Sequence, residues 1–317
     1  TFTGYMAAHV YEMPGTYTVK LVMKKNGVQV GNPVIETITA TTFSGTTYYV
    51  SSSDLVANDT NLGTLPSAPL KTIQAAWAKI QPNTRVLLKR GDSWTITGGL
   101  PANANGPVII GSYYNSDGTD SLTQPKPKII AGFNSPNGFI FPLSKNDWTL
   151  MNLDISALSR SVNTISFGGE RTLVFRSNFS HLLQGFSGVG FPGGATDGPT
   201  RLKDRFVIDV NITDTASTNY ITGENFAILN SVLQRDASGS HTIRLSGADA
   251  KTLIAGNDIR SDNTHDVVAV RGHLIPSPSP TRYRLITGNK LSCSLCSSIV
   301  DLGSGTGGGS LEQNEKL

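Results

Sequence analysis

The chain has 317 residues, 38% of them hydrophobic, which is enough to bury a core in one large domain or two modest ones and argues against disorder. Charged residues make up 15% and the formal net charge is +3, too weak a field to point to nucleic acid or a membrane surface as a partner. With 33 glycines, abundant Ser, Thr and Asn, and no run of eighteen apolar residues, the class expected is all-β, secreted and without membrane insertion.

Strand-like segments are predicted over residues 7–12, 16–24 and 34–41, broken by Pro14-Gly15 and by Asn26-Gly27. Thr1 stands directly ahead of this sequence, so no basic and apolar leader is expected within it. The string His9-Val10-Tyr11-Glu12-Met13-Pro14-Gly15-Thr16-Tyr17-Thr18-Val19 resembles the end of a polycystic-kidney-disease (PKD) repeat, an immunoglobulin-like extracellular module. The upstream Trp-Asp-Phe-Gly-Asp segment of that family is absent. The resemblance implies that residues 1–43 are the C-terminal half of a β-sandwich. Its apolar face and open edges need strands from elsewhere in a longer polypeptide, or from a neighbouring molecule by β-addition.

A second domain is expected over residues 44–305. It opens with Tyr48-Tyr49-Val50-Ser51 and a Ser/Asn/Asp/Gly/Pro-rich loop to Pro69. Leu70, Ile73, Ala76, Trp77 and Ile80 then share one helical face, which predicts an amphipathic capping helix over residues 70–80. Strands follow over residues 86–89, 94–97, 108–113, 128–131 and 139–143.

Beyond this point the sequence repeats. Six apolar segments, 148–155, 172–179, 206–212, 226–233, 252–259 and 283–291, alternate with second strands, the better ones at 164–167, 242–245, 267–270 and 298–302. Most of the second strands end in glycine, at Gly168, Gly247, Gly272 and Gly303. Asn178, Asn211, Asn230, Asn257 and Asn289 fall near one turn and suggest a stacked asparagine ladder. Alternation directs Ile243, Leu245, Val268 and Val270 inward, and Arg244, Ala269 and Arg271 outward.

Tyr48-Tyr49-Val50-Ser51, the loop, the Ala-rich helix and Val86-Leu87-Leu88-Lys89-Arg90-Gly91-Asp92 together resemble the first coil of pectate-lyase-like right-handed β-helix proteins, and the resemblance extends over residues 46–305. The fold expected is therefore all-β: a right-handed parallel β-helix, a solenoid with a short N-terminal capping helix, preceded by a partial β-sandwich. Residues 306–317 read as a flexible tail. Cys293 and Cys296 are the only cysteines. Their spacing suits a redox site, half a zinc site or a local disulfide, and without a second pair or a helix start the structural reading is preferred.

The resemblance implies work on an extended polysaccharide, as a lyase, a glycoside hydrolase or a binding scaffold, with a lyase ahead of a hydrolase if the protein is an enzyme. Arg244 and Arg271, with His241, His265 and Asp266 at strand entrances, form the preferred patch: Arg244, Arg271, His241 and His265 as catalytic candidates and Asp266 as a substrate-binding one. Solvated surface is the plain alternative. A lyase-like calcium site stays open, although Asp249, Asp258, Asp262 and Asp266 are dispersed on turns and no metal ligand set is legible.

For a hydrolase, the nearest carboxylates in sequence are Asp204, Asp209, Asp214 and Glu224, which read more simply as structural charge. His181, Arg176 and Arg201 flank a Gly-rich insertion at 185–198. Tyr113 and Tyr114 are candidates for stacking against sugars. The function expected is a secreted carbohydrate-active protein, extracellular or on the cell surface. Its rival is a noncatalytic adhesive, structural or filament-forming protein that self-associates through open β edges.

Overall fold

The computed structural model describes residues 6–135, 138–187, 203–236, 241–262, 267–271, 283–296 and 299–303. The chain divides into two compact units, Ala7–Gly45 and the remainder from Thr46. Among the described residues no helix is long and apolar enough to cross a membrane.

In the first unit, Gly15–Leu21 and Val34–Ala40 pair antiparallel in unbroken register, from Gly15 opposite Ala40 to Leu21 opposite Val34. A small hairpin joins Lys24–Lys25 to Val28–Gln29 through Asn26-Gly27, whose φ angles of 52° and 81° are the left-handed pair that a tight two-residue turn requires. Among the described residues no strand forms over the predicted segment 7–12, and the antiparallel pair is made by the other two predicted strands alone. Tyr17 holds this segment instead, donating its hydroxyl to Met13 O at 2.7 Å and packing on the Tyr11 ring.

The second unit is a right-handed parallel β-helix of three sheets. The first sheet runs through Thr84–Lys89, Val108–Tyr113, Trp148–Met151, Thr172–Phe175 and Lys203–Ile208. The second runs from Ser93–Ile96 through Lys128–Ala131, Asp154–Ala157 and Asn178–Ser180 to Lys290–Cys293. The third holds Phe139–Leu143, Asn163–Phe167, Gln184–Ser187, Val268–Arg271 and Val300–Gly303. The long strands Asn219–Leu229 and Ile243–Ala255 begin in the third sheet and finish in the first. Every pairing in these sheets is parallel, so each turn of chain lies over the equivalent part of the previous one.

Each of the six apolar segments proves to be two strands around a two-residue corner. The first corner residue is left-handed in every case: Asn152, Arg176, Asp209, Asn230, Gly256 and Gly288, with φ between 46° and 69°. This bend turns the chain within two residues, so both flanking strands keep their apolar side chains inside.

The predicted ladder forms at Asn257 and Asn289, while in the earlier coils serines hold the equivalent corner position, Ser177 before Asn178 and Ser231 after Asn230. Ser177 Oγ accepts from Leu153 N, Ser231 Oγ from Val210 N, and Asn257 Oδ1 from Ser231 N. Asn289 Oδ1 then accepts from Asn257 N. Asn230 occupies the left-handed position before the ladder, while Asn178 and Asn211 begin the next strands and lie in register with each other.

Ile243 pairs with Val268 and Leu245 with Val270, and Ile243, Leu245 and Val268 are fully buried, as alternation predicts. Arg205 is also interior, between Thr172 and Phe226 in register. Burial pushes its guanidinium down to about 10, against the pull of Glu170.

The capping helix is shorter than expected, Ile73–Trp77. Thr72 caps it, Asp59 fixes the cap through Lys71 N, Thr72 N and Thr72 Oγ1, and tight i→i+3 turns replace the helix before Pro82. All five predicted face residues are nonetheless buried, and Trp77 stacks beside Trp148 and Phe141 to close the core. Cys293 and Cys296 are joined in a disulfide.

Candidate functional site

The outward face of the third sheet is set by alternation. Between the buried Ile243 and Leu245, Arg244 must point out, and its neighbours in register are Tyr220 on one side and Ala269 on the other. Ser187 continues the row beyond Tyr220, and Ser166 beyond that. The Arg244 guanidinium lies 5.8 Å from the centre of the Tyr220 ring, within cation–π range. Arg244 Nε is buried and makes no hydrogen bond among the described residues, so this donor is available to a ligand that displaces its cover.

The other sequence candidates do not all join this pair. Arg271 ends the strand Val268–Arg271, two residues beyond the one opposite Arg244, and only its backbone is described. His241 precedes the Arg244 strand but is buried. His265 and Asp266 lie outside the described residues, as does Arg201.

Tyr113 belongs to the first sheet and offers no ring to solvent. It is 2% exposed, with the Tyr49 ring edge-on to it at 5.1 Å, and burial plus the charges of Asp54 and Asp92 raise its phenol above the ordinary range. Tyr114 is 40% exposed but follows the same first-sheet strand, away from Arg244.

A second group forms at the corner that leads from the second sheet into the third. Asn163 pairs with Gln184, so Arg160 and His181, each three residues upstream, stand side by side. The bridge between Leu182 and Thr215 then sets His181 beside Asp214. Asp214 Oδ2 lies 2.8 Å from His181 Nδ1 and Asp214 Oδ1 lies 3.2 Å from Arg160 Nε. With Nδ1–H donated to Asp214, His181 Nε2 is the free acceptor. His181 and Asp214 both hold left-handed backbones, with φ of 56° and 52°, a conformation uncommon outside glycine.

The next coils extend this corner with Asp236 and Asp262, and Gln234 Nε2 donates to Asp262 Oδ2 at 3.3 Å. Burial raises the Asp236 carboxyl above its ordinary value; a hydrogen bond from Gln234 works against this, and the charges of Asp214 and Asp262 reinforce it. The corner thus offers an imidazole oriented by Asp214 on the next turn and, one turn further, a carboxyl raised above its ordinary value.

His181 and Asp214 are 33 residues apart, and nothing in their local sequence links them. The signal that connects them is register: each is the left-handed residue that precedes its coil's third strand.

Among the described residues no three His, Cys, Asp or Glu side chains converge where they could hold a metal ion. Asp258, one of the dispersed carboxylates, is already held by Arg260 and Lys290.

No family model matches the chain, and no curated protein does. Among solved structures, pectate lyase Pel9A is similar at 13% identity, covering 86% of this chain and 78% of that one, with a TM-score of 0.44. A rhamnogalacturonan lyase is similar at 11% identity, covering 85% and 90%, with a TM-score of 0.42. A GH136 lacto-N-biosidase from Eubacterium ramulus is similar at 13% identity, covering 81% and 68%, with a TM-score of 0.38. The parallel register establishes the fold without these likenesses, and the chemistry rests on this chain's own residues.

Proposed function

We propose that the protein is an extracellular carbohydrate-active β-helix that engages an extended polysaccharide along the outward face of its third sheet. The observation that carries this reading is the Tyr220–Arg244 stack, an aromatic face and a cation held on adjacent rungs of a regular surface. Rungs about 4.8 Å apart suit a polymer that meets the protein repeatedly along one axis. In this reading the Tyr220 ring packs on a sugar face and Arg244 donates to hydroxyl or carboxylate oxygens, which favours a uronate-containing polymer and a lyase over a hydrolase.

Arg271, His265 and Asp266 flank that strip in the sequence and complete the site as proposed, while the buried His241 acts only by positioning its neighbours. At the neighbouring corner, His181 accepts a proton at Nε2 while Asp214 fixes its ring, and Asp236 serves as the acid. The Ala7–Gly45 unit fits the role of a PKD-like attachment module.

The test is a panel of pectins, alginates, glycosaminoglycans and neutral glycans, followed by binding, by absorbance of unsaturated products and by reducing ends. Binding to an acidic polymer that is lost in Arg244→Ala supports the reading. Silence across the panel in every assay overturns it.

A second reading, a noncatalytic adhesive or filament-forming protein, draws on the sheet of the first unit. Val19, Leu21, Val34 and Ile38 lie exposed on one face of that sheet, a surface suited to contact with another β element. Size-exclusion chromatography that shows only monomers at high concentration would dismiss self-association.

A further inference from the structure

The outer surface of the second sheet carries an arrangement of three side chains with a chemistry of its own. Lys126 Nζ lies 3.0 Å from Asn178 Oδ1. Asp154 stands on the strand next to Asn178 and directly opposite it in register. All three side chains are half-buried. An amine, a carboxamide and a carboxyl therefore meet where water is partly excluded.

The lysine is placed rather than merely tethered. Pro125 and Pro127 flank it and restrict the backbone on both sides. Arg90, whose side chain is 1% exposed, grips the same loop twice. It makes a two-pronged ion pair with Asp120, at 2.5 and 3.0 Å, and donates to Gln124 O at 2.8 Å. Gly91 N donates to Pro125 O, and Asp154 N donates to Pro127 O. The loop is thus bonded to the cylinder immediately before and after Lys126.

We propose that Lys126 and Asn178 are the reactants of an intramolecular isopeptide bond, formed with Asp154 as proton shuttle. Lys126 Nζ attacks Asn178 Cγ while Asp154 donates a hydrogen bond to the carboxamide. Asp154 then relays the proton lost by Nζ to Nδ2. The Cγ–Nδ2 bond breaks, ammonia leaves, and a secondary amide joins the two side chains. One amine and one primary amide become one secondary amide and one ammonia, and no oxidant, metal or cofactor takes part.

The electrostatics favour the reactive forms on both sides. Burial disfavours the lysine ammonium, opposed by the charges of Asp209 and Asp154 and aided by those of Arg90 and Arg176, with the net result below the ordinary lysine value. Burial likewise raises the Asp154 carboxyl against the pull of Lys128 and Lys126. A neutral amine is the nucleophile, and a protonated carboxyl is the donor that the departing ammonia needs.

The product would tie the loop before Lys128–Ala131 to Asn178–Ser180, spanning Asp154–Ala157 between them. The first and third of three successive coils would then be joined covalently across the middle one.

The test is the intact mass of the full-length folded protein, measured after denaturation and reduction of the Cys293–Cys296 disulfide. The expected result is a wild-type mass lower than the sequence mass by one ammonia, and a branched peptide on proteolysis that joins the segments around Lys126 and Asn178. Lys126→Arg and Asp154→Asn, with folding checked by circular dichroism, should each have the mass of their own sequence.

A wild-type chain at its full sequence mass after prolonged incubation would overturn the proposal. So would an ammonia loss that persists in Lys126→Arg, which would place the reaction at an Asn-Gly pair such as Asn26-Gly27 or Asn105-Gly106.

Discussion

Asn257 and Asn289 occupy the same position on successive coils, and Asn289 Oδ1 accepts both the backbone N–H and the Nδ2 of Asn257, at 3.0 and 2.8 Å. Asn257 passes the pattern on, with its Oδ1 accepting from Ser231 N and its Nδ2 also donating to Ile228 O. Replacing Asn257 with Ala strands two backbone groups of the preceding coil, Ser231 N and Ile228 O. At about 1–3 kcal/mol for each group left unsatisfied, the variant should lose about 2–6 kcal/mol of stability in chemical denaturation. A loss below about 1 kcal/mol would mean that water takes over the ladder.

Gly256 holds the left-handed corner directly before that ladder, with φ of 69°. A Cβ at this position would sit 2.7 Å from Asn230 Oδ1, the equivalent residue one coil back. Gly256→Ala should therefore cost about 1–3 kcal/mol from the backbone and the contact together. Asn230→Gly, at the same point of its own coil, should remain within about 1 kcal/mol of the parent. Thermal unfolding of the two variants gives the comparison.

The Arg90–Asp120 pair governs acid stability. Burial opposes ionisation of Asp120, but hydrogen bonds from Arg90 and Ser112, the Arg90 charge and Ser121 N–H outweigh it and hold the carboxyl below its ordinary value. A carboxyl depressed in the folded state contributes stability that is complete above its unfolded value and disappears as pH falls through its folded one. The stability gap between wild type and Asp120→Asn should be constant near neutrality and shrink below about pH 4. Asp120→Ala should cost about 3–5 kcal/mol at pH 7, because it leaves the Arg90 guanidinium buried without its counter-ion.

On the proposed binding strip, Tyr220→Ala and Arg244→Ala should each weaken polysaccharide affinity, by about 1–2 kcal/mol or roughly five- to thirty-fold. If the polymer is anionic, the Arg244→Ala variant should also lose part of the salt dependence of binding. Isothermal titration at two ionic strengths measures both effects.

At the corner, His181→Ala and Asp214→Asn should lower kcat/KM by about 10²–10⁴ if His181 is the base, and Asp214→Asn should do so with little change in KM. Equal activity in the parent and His181→Ala would remove the dyad from the reaction and leave Arg244 and its neighbours as the chemical centre.

The periodic parts of the fold were legible because each coil repeats the same demand: aliphatic residues at alternate positions inside, and a turn residue at the bend. Ile243, Leu245 and Val268 could be placed by counting alone. The corners were harder. Arg176 and Asp209 adopt the same left-handed bend as Gly256, yet neither residue type announces it, so pairs of short strands read as single long ones.

The site was less legible for a related reason. Arg244 followed from alternation, but the approach of His181 to Asp214 depends on how many residues intervene between coils, which hydrophobic periodicity does not encode. Tyr113 looked available because it ends an apolar strand, and only the position of Tyr49 reveals that it is covered.

From Trp148 onward the bend between the first and second sheets keeps its two-residue length in all six places, although three residues separate Lys89 from Ser93 and fourteen separate Tyr113 from Lys128 in the first coils. Fifteen residues separate Ser187 from Lys203 in the sequence, yet Phe175 stays opposite Ile208 and Ser187 opposite Tyr220. Length variation is thereby uncoupled from alignment along one vertical spine. Decorations at the other edges can be exchanged, or grafted from unrelated proteins, without the cylinder having to find a new phase.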